Sequence, residues 1–220
     1  EAGADVVLID RNLEGAQATA QRIEAFGRKT LVSNCNVSDP QAIEDLFRTI
    51  DSQFATIDFL GNIAGDGCLA RPEDLSIDDL HRVLQNLVVG RFAMCQQAGR
   101  RMLKQGRGSI MNIGSLASST ALGRGHIAYS MAMGAVIQMT RALAAEWGRY
   151  NINVNAICPG SIQTEGVRIN VDAAMVAKRI ARTPLGRLGE VSDVASVALF
   201  LASADSVWMT GESVLIDGGA

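Results

Sequence analysis

Short apolar runs rich in β-branched residues alternate with segments of helical periodicity along this 220-residue chain, and that alternation leaves few folds open. Val6-Val-Leu-Ile9 has the length of a buried strand and ends in Asp10. Residues 30–37, 57–61, 108–113, 151–157 and 213–216 repeat the pattern. Between them, apolar residues recur at helical spacing over 13–26, 40–54, 77–104, 127–149 and 191–202, with a looser helical stretch over 167–182. Gly27 stops the first helix, and Ser38-Asp39-Pro40 supplies an N-cap with proline at the first helical position. Ser76-Ile-Asp-Asp79 resembles a capping arrangement for the long helix that follows. Strands apolar on both faces, each followed by a helix, belong in a parallel sheet covered on both sides. The pattern predicts an α/β chain with a doubly wound parallel sheet in three αβα layers, with 1–220 as a single domain.

Composition narrows the function. A net charge of −3 gives no electrostatic pull toward nucleic acid or a membrane surface. No run approaches the ~18 consecutive apolar residues of a membrane-spanning helix. Cys35, Cys68, Cys95 and Cys158 are far apart, with no Cys-x-x-Cys and no histidine pairing. That spacing argues against zinc or a disulfide framework and for reduced thiols in a cytoplasmic setting. His81 and His126 read as surface or helix-end residues rather than ligands.

In a doubly wound sheet, ligands bind at the carboxyl ends of the strands, and the chemistry-bearing residues fall there. Asp10 is placed to accept hydrogen bonds from the ribose diol of an adenosine. Its charge would repel a 2′-phosphate, which favours NAD over NADP, although Arg11 beside it acts the other way. Asn36-Val37 ends the second strand and Asn62-Ile63-Ala64-Gly65 the third. Ser115 follows the fourth, and Pro159-Gly160-Ser-Ile162-Gln-Thr164 the fifth. Tyr129 and Met133 stand at i and i+4, on one face of a helix.

Ser109-Ile-Met-Asn112-Ile-Gly-Ser115, followed by Tyr129-Ser-Met-Ala-Met133, resembles the active-site stretch of the short-chain dehydrogenase/reductase family, whose signature is a serine and then Tyr-x-x-x-Lys. The likeness runs from Asp10 to Gly219. It implies a Rossmann-like fold, a nicotinamide cofactor, and hydride transfer to or from a small alcohol or ketone. Ala142-Leu-Ala-Ala-Glu-Trp147 and Asn153-Val-Asn155 resemble relatives that handle sugar alcohols, keto-sugar acids or 3-oxoacyl groups. By the same resemblance, Ser115 holds the substrate oxygen, Tyr129 gives or takes the proton, and Asn86 holds a water in the proton relay. Asn36-Val37 stands where relatives carry Asp-Val against adenine. Asn62, Ala64 and Gly65 form the loop that approaches the cofactor, and Pro159, Gly160, Ile162 and Thr164 form the loop that closes on it. The helices over 77–104 and 127–149 pair across a two-fold axis in relatives, which implies a homodimer or homotetramer.

Four departures set the expected strength of that chemistry. Lysine is replaced by Met133, the second loop asparagine by Ile63, and aspartate by Asn36. The family's Thr-Gly-x-x-x-Gly-x-Gly loop is not found, so the expected sheet lacks its first strand, and residues 1–5 read as the tail of a helix. A phenol with an ordinary pKa near 10 is a poor base at neutral pH. An ammonium within ~4–6 Å typically moves such a group by ~1–3 pH units. Methionine matches lysine in length and lack of branching. The expectation is a folded site with weakened chemistry. The alternative is a catalytically silent member serving as a ligand sensor or oligomer subunit.

Overall fold

Four-residue strands and capped helices set the frame of this computed structural model, which describes residues 2–123 and 125–220, with Asn170 described by its backbone alone. The strands are β1 Val6–Ile9, β2 Thr30–Ser33, β3 Phe59–Asn62, β4 Gly108–Ile113, β5 Ile152–Pro159 and β6 Ser213–Ile216. The helices are α1 Leu13–Glu24, α2 Pro40–Gln53, α3 Ile77–Leu84, α4 Gly90–Gln105, α5 Ile127–Trp147, α6 Glu165–Asn170, α7 Ala173–Ile180 and α8 Val191–Ala202. Every ladder is parallel, as the alternation requires. Among the described residues the strands form two ladders rather than one, β1-β2 and β3-β4-β5-β6. Val6 pairs with Thr30, Asn62 with Asn112, and Asn112 with Ala156.

Successive residues of one strand serve opposite layers, as period-2 geometry demands. Ile110 packs with Phe47 of α2, Met102 of α4 and Leu143 of α5, whereas its neighbour Met111 packs with Ile157 and with Leu201 of α8. Val7, Ile9 and Leu31 of the small ladder lean on the same cluster as Leu60 and Ile110, so the two ladders share one core. A third cluster joins α3 to α5 through Val83, Leu87, Ala132, Met133 and Val136.

Several boundaries differ from the periodicity. Residues 2–5 carry no helix, and Glu1, the other part of that expected helix tail, lies outside the described residues. The second strand stops at Ser33, not residue 37, because Asn36 captures the Ser38 amide on its side-chain oxygen at 3.0 Å and its carbonyl accepts from Asp39 N at 2.9 Å. Such local bonds compete with the ladder. The expected 77–104 helix is divided by a π-helical turn, Gln85–Val89. Just beyond the turn the helix backbone meets the loop after β2, where a Cβ on Gly90 would lie 2.0 Å from the Val37 carbonyl oxygen. Only glycine allows that approach. The stretch expected over 167–182 is likewise two helices. Val171 is extended, and Asp172 caps α7 by accepting from Met175 N at 2.7 Å.

Candidate active site

The carboxyl end of β3 is tied to its neighbours by a buried polar string. Asn62, 5% exposed, donates through Nδ2 to Asn112 Oδ1 at 2.9 Å and to Cys95 Sγ at 3.1 Å. Asn112 donates to Thr140 Oγ1 at 3.0 Å, and Thr140 donates to the Val136 carbonyl at 2.9 Å. The string runs from β3 through β4 into α5, the helix that carries Tyr129. Buried amides hold position when each finds a partner, and these do. Burial pushes the Cys95 thiol up to about 12, against its bonds with Asn62, which donates to it, and with Asn112 Oδ1, which accepts from it, so it stays neutral in the string.

Ser115 follows β4 and caps a single 3-10 turn, Leu116–Ser118. Its Oγ accepts from Ala117 N at 3.1 Å, and its own N–H donates to Ser118 Oγ at 3.1 Å. Helix α5 packs against that turn, and Tyr129 lies in the first turn of α5, half-buried. The approach of the loop after β3 to Tyr129 is close. A Cβ on Gly67 would lie 3.1 Å from Tyr129 Cδ2. One turn along α5, Met133 is 1% exposed and packed among Val83, Leu87, Ala132 and Val136.

Asn86 sits in the π turn, and both ends of its amide are engaged. Nδ2 donates to Ser38 Oγ at 3.0 Å, and Oδ1 accepts from Asp66 N at 2.9 Å. Gly65, beside Asp66, has φ +138° and lies against Leu87, where a Cβ would come within 2.3 Å of Cδ2. A side chain at Gly65 would be strained on both counts. Ile63 is exposed, and the third-strand loop is anchored by Asn62 at its start and by Asn86 on the Asp66 amide.

The remaining expected residues line the same carboxyl edge. Asp10 is exposed after β1 and accepts from Asn12 N at 2.9 Å on Oδ1. Arg11 lies 3.7 Å from Asp66, an exposed pair linking the loops after β1 and β3. Asn36 is exposed and Val37 half-buried at the end of β2. Pro159 closes β5. Gly160 donates to the Ile216 carbonyl at 2.9 Å, and a Cβ there would press on Asp217. Ile162 bridges to Gly189, and Thr164 caps α6 by accepting from Val167 N at 3.3 Å.

A family model described as enoyl-(acyl carrier protein) reductase matches residues 1–220. An NAD-dependent glycerol dehydrogenase of Listeria innocua is 38% identical over 220 residues, covering 100% of this chain and 85% of that protein. Among solved structures, a gluconate 5-dehydrogenase from Burkholderia cenocepacia in complex with NADP and tartrate superposes with a TM-score of 0.91 at 33% identity. The match covers 99% of this chain and 85% of that one. A 7α-hydroxysteroid dehydrogenase complexed with NADH and 7-oxo glycochenodeoxycholic acid gives 0.94 at 30%, again over 99% and 85%. The chain is a member of the short-chain dehydrogenase/reductase family.

In this family member, sequence reasoning missed one group of consequence. Arg91, on α4, is 4% exposed. It donates through Nη1 to the Ile113 carbonyl, and through Nη2 to those of Ala64 at 3.3 Å and Ile63 at 3.5 Å. Its Nε has no partner among the described residues. Burial pushes the guanidinium below its ordinary value, and anionic forms of Tyr129 and Cys95 would push it back. The one available signal was a charge inside the apolar run Leu87-Val-Val-Gly-Arg-Phe-Ala-Met-Cys95. Asn112 and Thr140 carried no signal of their own, because asparagine on a strand and threonine on a helix are commonplace. Beyond the edge, a cleft of about 470 Å³ lies against α6 and α7, with Gln163, Val167, Val176, Ile180 and Leu188 in its walls. No group of three or more His, Cys, Asp and Glu side chains among the described residues could hold a metal ion.

Proposed function

We propose that this chain transfers a hydride between a nicotinamide cofactor and a secondary alcohol or its ketone. The observation that carries this reading is that α5, whose first turn holds Tyr129, packs on the 3-10 turn that Ser115 caps after β4. The residues at the carboxyl edge suit a dinucleotide. Asp10 offers an exposed carboxylate for a ribose diol and disfavours a 2′-phosphate, so NAD is preferred to NADP. The loops at Asn36-Val37, Asn62 to Gly65 and Pro159 to Thr164 would hold the rest of the cofactor, which supplies the hydride-carrying ring when bound.

The protein's part is to orient the substrate and move one proton. Ser115 Oγ positions the substrate oxygen. Tyr129 gives its hydroxyl proton to that oxygen in reduction and takes it back in oxidation. Asn86 anchors the relay behind it. The cleft against α6 and α7 receives the body of the substrate, and its apolar walls with Gln163 and Arg168 suit a small polyol, keto-sugar or 3-oxoacyl compound.

Complete burial of Met133 among aliphatic side chains favours slow turnover and supports a second reading, a silent member acting as ligand sensor or subunit. In either case we place the protein in a homodimer or homotetramer, since Phe92 of α4 and Met131 of α5 stay exposed on the helices that would pair. The deciding experiment is NADH oxidation across small ketones and keto-sugars, with Tyr129→Phe as control. Turnover that drops ~100-fold or more in the phenylalanine variant supports the dehydrogenase. NADH binding without turnover of any ketone gives the silent reading the lead.

A further inference from the structure

Two serines share the turn that follows β4, and they bind one another twice. Ser118 Oγ accepts from Ser115 N at 3.1 Å, and Ser118 N donates to the Ser115 carbonyl at 2.9 Å. Between them, Ser115 Oγ accepts from Ala117 N at 3.1 Å. Gly114 makes this closure possible. A Cβ on Gly114 would lie 3.1 Å from Ser118 Oγ and 2.9 Å from Cys158 Sγ, so the Ser118 hydroxyl fills a niche that a side chain at 114 would close. The Gly114 amide is itself spent on β5, donating to the Ile157 carbonyl at 2.7 Å. The backbone is thus pinned on both sides of the Ser115 side chain, and one of those pins is the Ser118 hydroxyl.

A serine hydroxyl has one proton to give and two lone pairs with which to accept. The Ala117 amide occupies one lone pair of Ser115 Oγ, and the hydroxyl proton has no acceptor among the described residues. That proton is free for a ligand, and an amide donating into the same oxygen strengthens it as a donor. A ketone oxygen only accepts, so the two polarities match. We propose that Ser118 is a positioning residue for the reaction: by holding the Ser115 amide, it keeps Ser115 Oγ turned to donate to the carbonyl oxygen of the substrate. The proposal rests on the hydride-transfer reading. Without the Ser118 hydroxyl, the Ser115 N–H loses its acceptor, and the peptide plane between Gly114 and Ser115 can turn and carry Oγ with it. Ser118 acts through Ser115 alone, which is what separates it from a residue that merely steadies the fold.

The test is a double-mutant cycle on Ser115 and Ser118, read first without turnover. Cyclohexanone and fructose, a cyclic ketone and a keto-sugar, serve as probes. With oxidised NAD bound neither can be reduced, so ligand NMR reads their binding alone. Ser118→Ala is expected to weaken binding of the tighter probe by about five-fold, the worth of one misdirected hydrogen bond. In a Ser115→Ala background the same change should have no effect. For ketone reduction, kcat should fall by about ten-fold in Ser118→Ala while KM for NADH stays put. Ser118→Thr, which keeps the hydroxyl, should restore both. Should Ser118→Ala fail to fold, Ser118→Cys keeps the shape with a much poorer acceptor and takes its place in every comparison. Equal losses in the two backgrounds, unchanged ketone binding in a folded variant, or no binding of either probe to the parent overturns the proposal. Coupled loss of ketone binding with no turnover of any ketone in any form overturns the hydride-transfer reading instead, and leaves the hold of Ser118 on Ser115 standing.

Discussion

Replacing Met133 by lysine tests the electrostatic argument and the packing argument in one variant, because the two push in opposite directions. Met133 is 1% exposed and touches the aliphatic cluster of Val83, Leu87, Ala132 and Val136. An ammonium there has one partner one helical turn away, the Tyr129 oxygen, and no carboxylate. Acting alone on that oxygen, it would raise the phenolate fraction by ~10–1000-fold at neutral pH. Burial among aliphatic side chains disfavours the charged form of a lysine, so the gain should fall near the bottom of that range, at about ten-fold. The stability change has the other sign. Losing a buried methionine's transfer free energy removes ~1.5–3 kcal/mol, which in a chain of this size lowers Tm by roughly 3–12 °C. NAD reduction on the corresponding alcohol and a thermal melt read the two effects separately. A gain of 100-fold or more with an unchanged Tm would refute the reasoning. It would mean that the slot around position 133 is still built for an ammonium.

Further outcomes follow from the same geometry. Asp10→Ser removes the carboxylate beside the proposed ribose site and should shift the NAD-to-NADP ratio of kcat/KM toward NADP by about ten-fold or more, since one lost charge clash is of the order of 1–2 kcal/mol; an unchanged ratio would place the discrimination elsewhere. Asn112→Ala removes one buried partner from the Asn62 amide and one from the Thr140 hydroxyl and should lower stability by ~1–3 kcal/mol, read by urea unfolding. Cys95 has its thiol raised by burial from 9.0 to about 12. Because the folded value lies above the ordinary one, its contribution to stability is complete below about 9 and is lost as pH rises toward 12. Iodoacetamide at mildly alkaline pH should therefore label the half-buried Cys68 well before Cys95 in the native chain, as mapped by mass spectrometry.

The layers of the fold were legible because each depends on local pattern. Val6–Ile9, Gly108–Ile113 and Ser213–Ile216 stand where their apolar runs put them, and Asp39 with Pro40 opens α2 as its chemistry requires. What the sequence hid was set by contacts distant in the chain. The π turn at Gln85–Val89 lies where the helix backbone meets the Val37 carbonyl, and no periodicity in 77–104 announces a neighbour that comes from the loop after β2. The site divides in the same way. Ser115, Tyr129 and Asn86 could be singled out by the resemblance of their segments to the family's motifs. Arg91 could not, because an arginine between a glycine and a phenylalanine reads as a solvated helix charge until its side chain is followed to the carbonyls of Ile113 and Ala64.

Two ladders sharing one core impose a mechanical condition on the proposed chemistry. Asp10 and Asn36 stand at the ends of β1 and β2, whereas Ser115 and Pro159 stand at the ends of β4 and β5, and no ladder hydrogen bond joins the two sets among the described residues. Apolar packing of Val7, Ile9 and Leu31 on the shared cluster is strong but not directional. Direction comes from a few polar pins, and they meet at the π turn. Gln85 donates to the Ser38 carbonyl at 3.0 Å, and Asn86 holds Ser38 Oγ on one side and the Asp66 amide on the other. Arg11 and Asp66 add a solvent-exposed pair of little energy. Asn86 thus stands between the half of the edge suited to the adenosine and the half suited to the nicotinamide. A residue proposed for proton relay would thereby also fix how far apart the two ends of a dinucleotide lie.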